Sequence, residues 1–371
     1  MPEKIVFVSG CYDVLHGGHV EFFEQARSLG DRLVVCFAGD ESLRRHKRPQ
    51  PSIPTIHKLH LLSALRPVDE VVIGDDLEAP HGLDFKKAFL SIRPQILAVT
   101  EDDKYGDVKR ELCAEVGAEY VVLPKSLQYE KTSTTDILRR IKAPAWAPLR
   151  VDFAGGWLDV PKYARPGAFV VNCSISPQVS LADWPYHIGG GLGGSAAYAL
   201  LQGRDSVQSE LDLGVGWQDP AIISETGLCV WRSGQRPELD FKTSPAFLSG
   251  RMAVLWTGSP HTTYALTDLQ RDWSLIKAAG AQAREAVLPD RQSFVNLAEA
   301  VNMSYQVQQG EGMQPLPDHG QLAAKYLGGG FGGYALFLFM SQAQRDAFVE
   351  AQGGRGKDGA IAIEPYIRPA C

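Results

Sequence analysis

No cysteine of this chain stands in a CxxC pair: its six cysteines (Cys11, Cys36, Cys113, Cys173, Cys229, Cys371) are scattered over 371 residues. That spacing excludes a disulfide frame or a thiolate zinc site and reads as free thiols in a reducing, cytoplasmic compartment. Long apolar runs are missing as well. None approaches the roughly 20 residues that span a bilayer, and the N-terminus enters a strand pattern without a signal-peptide core. A membrane partner is therefore not expected. There is no basic excess either. The net charge is −6; residues 1–143 carry 20 Lys/Arg against 22 Asp/Glu, and residues 144–371 carry 17 against 21. Neither half suits nucleic acid, so a small anionic substrate would need a local positive cluster. No repeat of solenoid length and no low-complexity tail is present.

What the chain has is length for two domains and an ordinary apolar content of 44%. Short Val/Ile/Leu-rich runs at 5–8, 32–38, 70–73, 96–100 and 120–123 read as strands. Between them, 18–29, 57–65, 84–92 and 107–116 place apolar residues at helical spacing. This alternation predicts an α/β domain with a Rossmann-like doubly wound parallel sheet, its ligand at the carboxyl ends of the strands. A closing helix is expected over 132–141. Two prolines in Ala143-Pro144-Ala145-Trp146-Ala147-Pro148 then stop it, which sets domains at 1–143 and 149–371 with a linker at 144–148. The second half has Gly-rich turns, strands at 151–154, 168–171 and 335–339, and helices at 268–287 and 293–308, the mixture of an α+β domain.

Two segments prepare phosphate sites. The first, Ser9-Gly10-Cys11-Tyr12-Asp13-Val14-Leu15-His16-Gly17-Gly18-His19, turns a strand into a helix. Its glycines let backbone approach a ligand, the helix N-terminus offers free N–H groups, and His16 and His19 can donate to phosphate oxygens as charge develops. The basic loop Arg44-Arg45-His46-Lys47-Arg48 can supply cations.

The stretch Gly10–Ala26 resembles the HxGH nucleotidylyltransferases, of the glycerol-3-phosphate cytidylyltransferase and ADP-heptose synthase types. The segments GDESLRRHK (39–47), RPQILAV (93–99) and KTSTTDIL (131–138) extend the likeness. The resemblance implies that a phosphate oxygen of the acceptor attacks the α-phosphorus of CTP or ATP and pyrophosphate leaves. It implies catalysis by His16, His19 and Lys47. Nucleotide binding would fall to Gly10, Cys11, Tyr12, Asp13, Gly18, Arg44, Ser133, Thr134 and Thr135. Lys58, where the family usually has an arginine, would bind substrate. The segment 100–113 departs from the family form near the base, which leaves CTP and ATP both open.

The second segment is Gly189-Gly190-Gly191-Leu192-Gly193-Gly194-Ser195-Ala196-Ala197. A glycine loop feeding a helix aims consecutive N–H groups at phosphate. With Ala147–Pro161 and Lys325–Phe339 it resembles the GHMP small-molecule kinases. Gly155-Gly156-Trp157-Leu158-Asp159-Val160-Pro161 and Gly216-Trp217-Gln218-Asp219 are similar to the fucokinase and heptose-7-phosphate kinase branch. The resemblance implies that Asp159 binds sugar hydroxyls, Arg150 lies near the transferred phosphoryl, and Asp219 orients or deprotonates the attacking hydroxyl. Nucleotide would lie on Gly191, Gly193, Gly194 and Ser195, with Ser195 helping to hold Mg²⁺–ATP. The domain is shortened around this loop, and Glu210 falls out of the register of the family's Mg²⁺-ligating glutamate.

Other features read as structure. Glu101-Asp102-Asp103 reads as a strand-end loop facing nucleoside or solvent, with a metal-binding acidic cluster as the alternative; His57 and His60 read as helix-surface or packing residues, Trp256, Trp273 and Tyr305 as core, and Cys11 as a packing residue without a base beside it. The expectation is a bifunctional sugar-activating enzyme. ATP and Mg²⁺ would phosphorylate a sugar or sugar phosphate, heptose first, at its anomeric hydroxyl, and nucleotidyl transfer to the sugar 1-phosphate would follow. The alternative is a monofunctional cytidylyltransferase acting on a polyol phosphate, its degenerate kinase-like half retained for substrate binding or for a homodimer.

Overall fold

Strand–helix alternation builds the first unit, Met1–Leu138, around five parallel strands: β1 (Ile5–Gly10), β2 (Arg32–Ala38), β3 (Glu70–Gly74), β4 (Ile96–Thr100) and β5 (Glu119–Leu123). Their order is β3-β2-β1-β4-β5, with every pair parallel. This is the doubly wound Rossmann-like fold that the alternation predicts. Side chains of β1 and β2 alternate between two apolar layers. Val6, Val8, Val35 and Phe37 pack with Phe23 and Leu62, whereas Phe7, Val34 and Cys36 pack with Phe89 and Leu97. Burial on both faces is why these strands read as unbroken apolar runs. Helices α1 (Gly17–Arg27), α2 (Asp40–His46), α3 (Thr55–Ser63), α4 (Lys86–Ile92), α5 (Gly106–Val116) and α6 (Thr134–Ile141) complete the order. The strand order reverses between β1 and β4, so the crevice for a ligand opens where the histidine turn leaves β1.

A computed structural model provides the coordinates, and it describes residues 3–47, 49–80, 82–125, 131–260, 269–353 and 356–369. Arg48 of the basic cluster, Asp268 at the expected start of a helix and Cys371 lie outside the described residues. The basic segment is not a loop: Arg44, Arg45 and His46 form the last turn of α2. Reciprocal bonds between Asp40 and Thr55 (3.0 and 3.2 Å) tie the start of α2 to the start of α3. That contact, between residues 15 apart, leaves no periodic trace in the sequence.

The second unit, Arg139–Cys371, is an antiparallel eight-stranded sheet with helices, a GHMP-kinase-like fold. Its strands are β6 (Ala147–Ala154), β7 (Phe169–Val179), β8 (Leu228–Arg232), β9 (Glu238–Thr243), β10 (Met252–Trp256), β11 (Ala323–Tyr326), β12 (Tyr334–Leu338) and β13 (Ala360–Pro365). The order is β11-β12-β10-β13-β7-β8-β9, and β6 pairs with β7. β6 begins at Ala147, so the last two residues of the expected linker are already strand. Helices are α7 (Gly194–Leu201), α8 (Ser206–Asp212), α9 (Gln218–Glu225), α10 (Trp273–Ala286), α11 (Phe294–Gly310) and α12 (Gln342–Ala351). Side-chain caps from Asp205, Asp272, Ser293 and Ser341 start α8, α10, α11 and α12. Leu149, Val151 and Phe153 of β6 share one core with Ala279 and Ala283 of α10 and Leu297 and Val301 of α11. Trp256 and Trp273 pack half-buried against the cores.

Three backbones meet behind the strand that carries the second site. A Cβ on Gly280 of α10 would lie 2.3 Å from the Phe169 carbonyl oxygen, and one on Gly155 only 1.9 Å from it. Helix propensity alone favours Ala over Gly by about 1 kcal/mol, but the clash is with backbone that β7 holds in place. Gly280→Ala is therefore expected to lower stability by at least about 1–2 kcal/mol. Gly310, with nothing within 4 Å of its Cβ position, should tolerate Ala. All seven tryptophans lie beyond residue 145, so their emission in urea titrations reads the second unit and checks both variants.

Candidate active sites

In the first unit, His16 is the extended residue that starts α1, and no side chain caps that helix end. Gly18 and His19 lie in its first turn. The His16 and His19 rings stack with centroids 3.8 Å apart, and Tyr12 meets His19 edge-on at 5.2 Å. Tyr12, at φ 41°, is buried below them, and its ring fills the space that a Cβ on Gly10 would need. Burial first, then the charges of His16, Lys47 and Lys125, pushes the His19 imidazole down to about 3. Burial and Lys125 also lower His16. Both rings are therefore neutral near pH 7, and each keeps an N–H to donate. The Nδ1 atoms of both are buried without a partner.

The remaining residues divide by task. Buried Asp13 accepts from the Ser52 and Ile53 amides (2.9–3.3 Å), fixing the chain after α2. Lys58 is buried at 1% exposure, where its Nζ donates to the Ala38 carbonyl (2.9 Å) and pairs with Asp40 (3.6 Å). That location makes it a pin between β2, α2 and α3 beneath the site. Arg44 is exposed and pairs with Glu41 at 3.1 Å. Lys47 is exposed at the C-cap of α2, with its charge felt at His19. Ser133 and Asp136 exchange bonds (2.6 and 3.2 Å) at the start of α6. Thr134 donates to the Val14 carbonyl (3.2 Å), joining that helix start to the histidine turn, and Thr135 is exposed. Cys11 is half-buried within the turn.

The acidic loop after β4 is satisfied by cations. Asp103 pairs with Lys109 and accepts from Tyr120, Asp102 pairs with Lys125 (2.7 Å), and Glu101 pairs with Lys131 (3.4 Å). Lys125, which acts on both histidines, escaped the sequence reading because it stands alone after β5. His57 and His60 are exposed on α3.

The second unit holds a cavity of about 1030 Å³ at its glycine loop. Gly189, Gly191 and Gly193 take φ of 70–76° in alternation, which turns successive N–H groups toward one side as an anion nest. Gly193 then starts α7 without a side-chain cap, with Gly194 and Ser195 in its first turn. Arg150 of β6 holds this loop from behind: its Nη1 donates to the Gly191 carbonyl (2.5 Å) and its amide to that of Leu192 (3.0 Å). The same guanidinium clamps Asp219, at the start of α9, with Nε and Nη2 at 2.6 and 2.8 Å. A Cβ on Gly193 would press on Arg150 and Asp219 at 3.2–3.3 Å, so only glycine lets loop and clamp sit this close.

The two tryptophan motifs interlock. Asp159 is buried and accepts from the Gln218 amide (3.1 Å) and its Nε2 (3.2 Å). A Cβ on Gly216 would fall on the Asp159 carboxylate. Burial, aided by the Asp219 charge, pushes Asp159 up to about 7. Glu210 of α8 is buried, lines the cavity and hydrogen-bonds Ser195. Its carboxyl is pushed up to about 7 by burial and then by Asp219. The sequence also gave no signal for the buried Asp152–Lys325 pair, which joins β6 to β11 and lies 3.5 Å from Arg150. Among the described residues no cluster of three or more His, Cys, Asp or Glu is placed to hold a metal, and no helix is long and apolar enough to cross a membrane.

The family model for cytidylyltransferase-like proteins matches residues 7–140. FAD synthase of Thermococcus onnurineus is 37% identical over 139 residues, which cover 37% of this chain and 89% of the relative. Bifunctional protein HldE of Methylococcus capsulatus is 39% identical over 145 residues, 38% of this chain but 28% of that relative. A solved mevalonate kinase of L. major covers 60% of this chain and 94% of its own, at 17% identity and a TM-score of 0.42, too slight a likeness to carry weight. The chain belongs to the cytidylyltransferase-like nucleotidyltransferases through residues 7–140, fused here to a kinase-like domain.

Proposed function

We propose that the chain activates a sugar in two steps, phosphorylating it in the second unit and nucleotidylating the resulting sugar 1-phosphate in the first. The observation that carries this reading is the convergence of Arg150, Asp219, Ser195 and Glu210 on one glycine-loop cavity. A domain retained only for shape has no need to bury two carboxylates, Asp159 and Glu210, in a cavity beside a glycine loop.

In the first unit, an oxygen of the sugar 1-phosphate attacks the α-phosphorus of CTP or ATP. The bond to the β-phosphate oxygen breaks and pyrophosphate leaves. Neutral His16 and His19 donate to oxygens on which negative charge builds, while the charges of Lys47 and Lys125 draw the triphosphate in. Ser133, Thr134 and the start of α6 lie beside the histidine turn to receive the β- and γ-phosphates. A heptose is the first sugar to test, on the likeness of the Gly155–Pro161 and Gly216–Asp219 segments to heptose-7-phosphate kinases.

In the second unit, a sugar hydroxyl oxygen attacks the γ-phosphorus of ATP, the β–γ bridging bond breaks and ADP leaves. Asp219 accepts the hydroxyl proton; Arg150 fixes both its oxygens, and each keeps a lone pair for the substrate. Asp159 and Gln218 face the sugar hydroxyls. The donor set fits Mg²⁺: Ser195 and Glu210 line the cavity together and present hard oxygen ligands. When bound there, Mg²⁺ would neutralise triphosphate charge. The monofunctional alternative with a polyol phosphate acceptor has no separate observation in its favour.

His16→Ala should cut pyrophosphate release by about 10²–10³-fold, the usual cost of one donor to a developing oxyanion, and leave ADP release unchanged. Asp219→Asn should do the reverse, lowering sugar-dependent ADP release at least about 100-fold with pyrophosphate release intact. One variant that silences both reactions would mean the two assignments are not separate sites. The histidines add a pH test. An ordinary imidazole is half protonated near 6.5, whereas His19 is pushed down to about 3, so between those values only the unfolded chain gains that proton. Stability should therefore fall as pH drops from about 6.5 toward 3, and the His19 imidazole NMR signals should stay fixed from pH 8 to 5. A midpoint near 6.5 would contradict the neutral-donor role.

A further inference from the structure

Trp157 forms part of the wall of the second-unit cavity. It sits at φ 76°, a left-handed backbone that a large side chain rarely adopts. Behind the indole lies Arg271, which does not line the cavity. Its guanidinium carbon is 3.7 Å from the ring centroid, its side chain is fully buried, and its Nε pairs with buried Glu311 at 3.3 Å. One face of the indole is thus covered by a cation locked in an ion pair, and the ring turns its remaining surface to the cavity. Two residues on, the Asp159 carboxylate is held by both nitrogens of Gln218. An aromatic face beside a carboxylate and an amide matches a sugar ring, whose C–H face stacks on aromatics while its hydroxyls need paired donors and acceptors.

The charges around this wall are equally selective. The described cavity lining carries three carboxylates, Asp159, Glu210 and Asp219, against Arg150 and Lys357. Arg150 spends its donors on Asp219 and the Gly191 carbonyl. Lys357 is tied at its backbone to the segment before the glycine loop, since its carbonyl accepts from the Tyr334 hydroxyl, which in turn accepts from the His187 amide. The buried cations behind the walls are committed as well, Lys325 to Asp152 and Arg271 to Glu311. The segment 261–268, outside the described residues, contains neither Lys nor Arg. Among the described residues, the Trp157 wall offers no uncommitted cation to an anionic acceptor.

We infer that the acceptor of the second unit is an uncharged sugar ring stacked on Trp157, with Asp159 and Gln218 on its hydroxyls, and that sugars already carrying a phosphate are rejected there. This rests on reading the cavity as a sugar phosphorylation site. It narrows that reading to free sugars, so the product carries a single phosphate and the first unit receives a monophosphate.

The test is a tryptophan-emission titration of the full chain with free hexoses, deoxyhexoses and heptoses and with their terminal phosphates, at low and raised salt. At least one free sugar should bind, and its terminal phosphate should bind at least tenfold more weakly. That gap should narrow as salt screens the carboxylates. Trp157→Ala should weaken the free sugar at least tenfold while ATP binding, measured by equilibrium dialysis, stays unchanged. Trp157→Phe, expected to lose less, serves if the alanine variant does not fold. Arg271→Met should raise the KM for sugar more than it lowers kcat, with partial rescue by Arg271→Lys. A phosphate ester that binds as tightly as its free sugar, a Trp157 variant with native affinity, or a panel in which no free sugar binds would overturn the assignment. ADP release on the same samples separates the two readings. A free sugar that binds but is never phosphorylated sinks the kinase reading alone, whereas a sugar phosphate that is the better acceptor sinks this one alone.

Discussion

The second unit depends on one buried guanidinium. Arg150 leaves β6 at 2% exposure and reaches the Gly191 carbonyl on one side and both oxygens of Asp219 on the other. A strand, a glycine loop and a helix start are thereby fixed to a single planar group. Burying such a charge is unfavourable unless it is paired and its donors are used, and removing one partner of a buried pair typically costs about 3–5 kcal/mol. The bidentate clamp meets that condition. It also explains the glycines around it, because a side chain at Gly193 would have to displace Arg150 or Asp219. Stability and site geometry are here the same contacts.

The first unit was legible because its information is local. Each strand is a short buried run, each helix has its own period, and the histidine turn is contiguous from Gly10 to His19. What escaped was long-range: α2 in place of a basic loop, fixed by Asp40 and Thr55, and Lys125 acting on the histidines from the far side of the sheet order. The second unit was legible only in its motifs. Glycine loop and tryptophan motifs mark themselves by composition, but Glu210 is an ordinary helical glutamate whose place beside Ser195 is set by how α8 packs. Its register in the chain says nothing of that. Asp152 and Lys325, 173 residues apart, form a pair that only the sheet order brings together.

The two sites handle phosphate charge by opposite means, and each choice follows from its neighbours. The cations that act on His16 and His19 are Lys125 and, for His19, Lys47, so a protonated imidazole would be repelled as well as desolvated, and the rings stay neutral donors. The glycine-loop cavity is lined by three carboxylates against Arg150 and Lys357, so on the proposed reading a triphosphate would be held by backbone N–H groups, by Lys357 near the loop and by a cation brought in with the nucleotide. A site of that kind is selective for which anion it accepts. Under that proposal, a nucleotide arriving with its own divalent cation would be accepted and a bare phosphate ester would not. On the proposed reading, that asymmetry orders the chemistry. The carboxylate-lined site suits a neutral sugar, and the lysine-flanked site suits the anion that phosphorylation of that sugar would produce. The product of the first step would then be chemically unsuited to rebind where it was made and suited to the other site of the same chain.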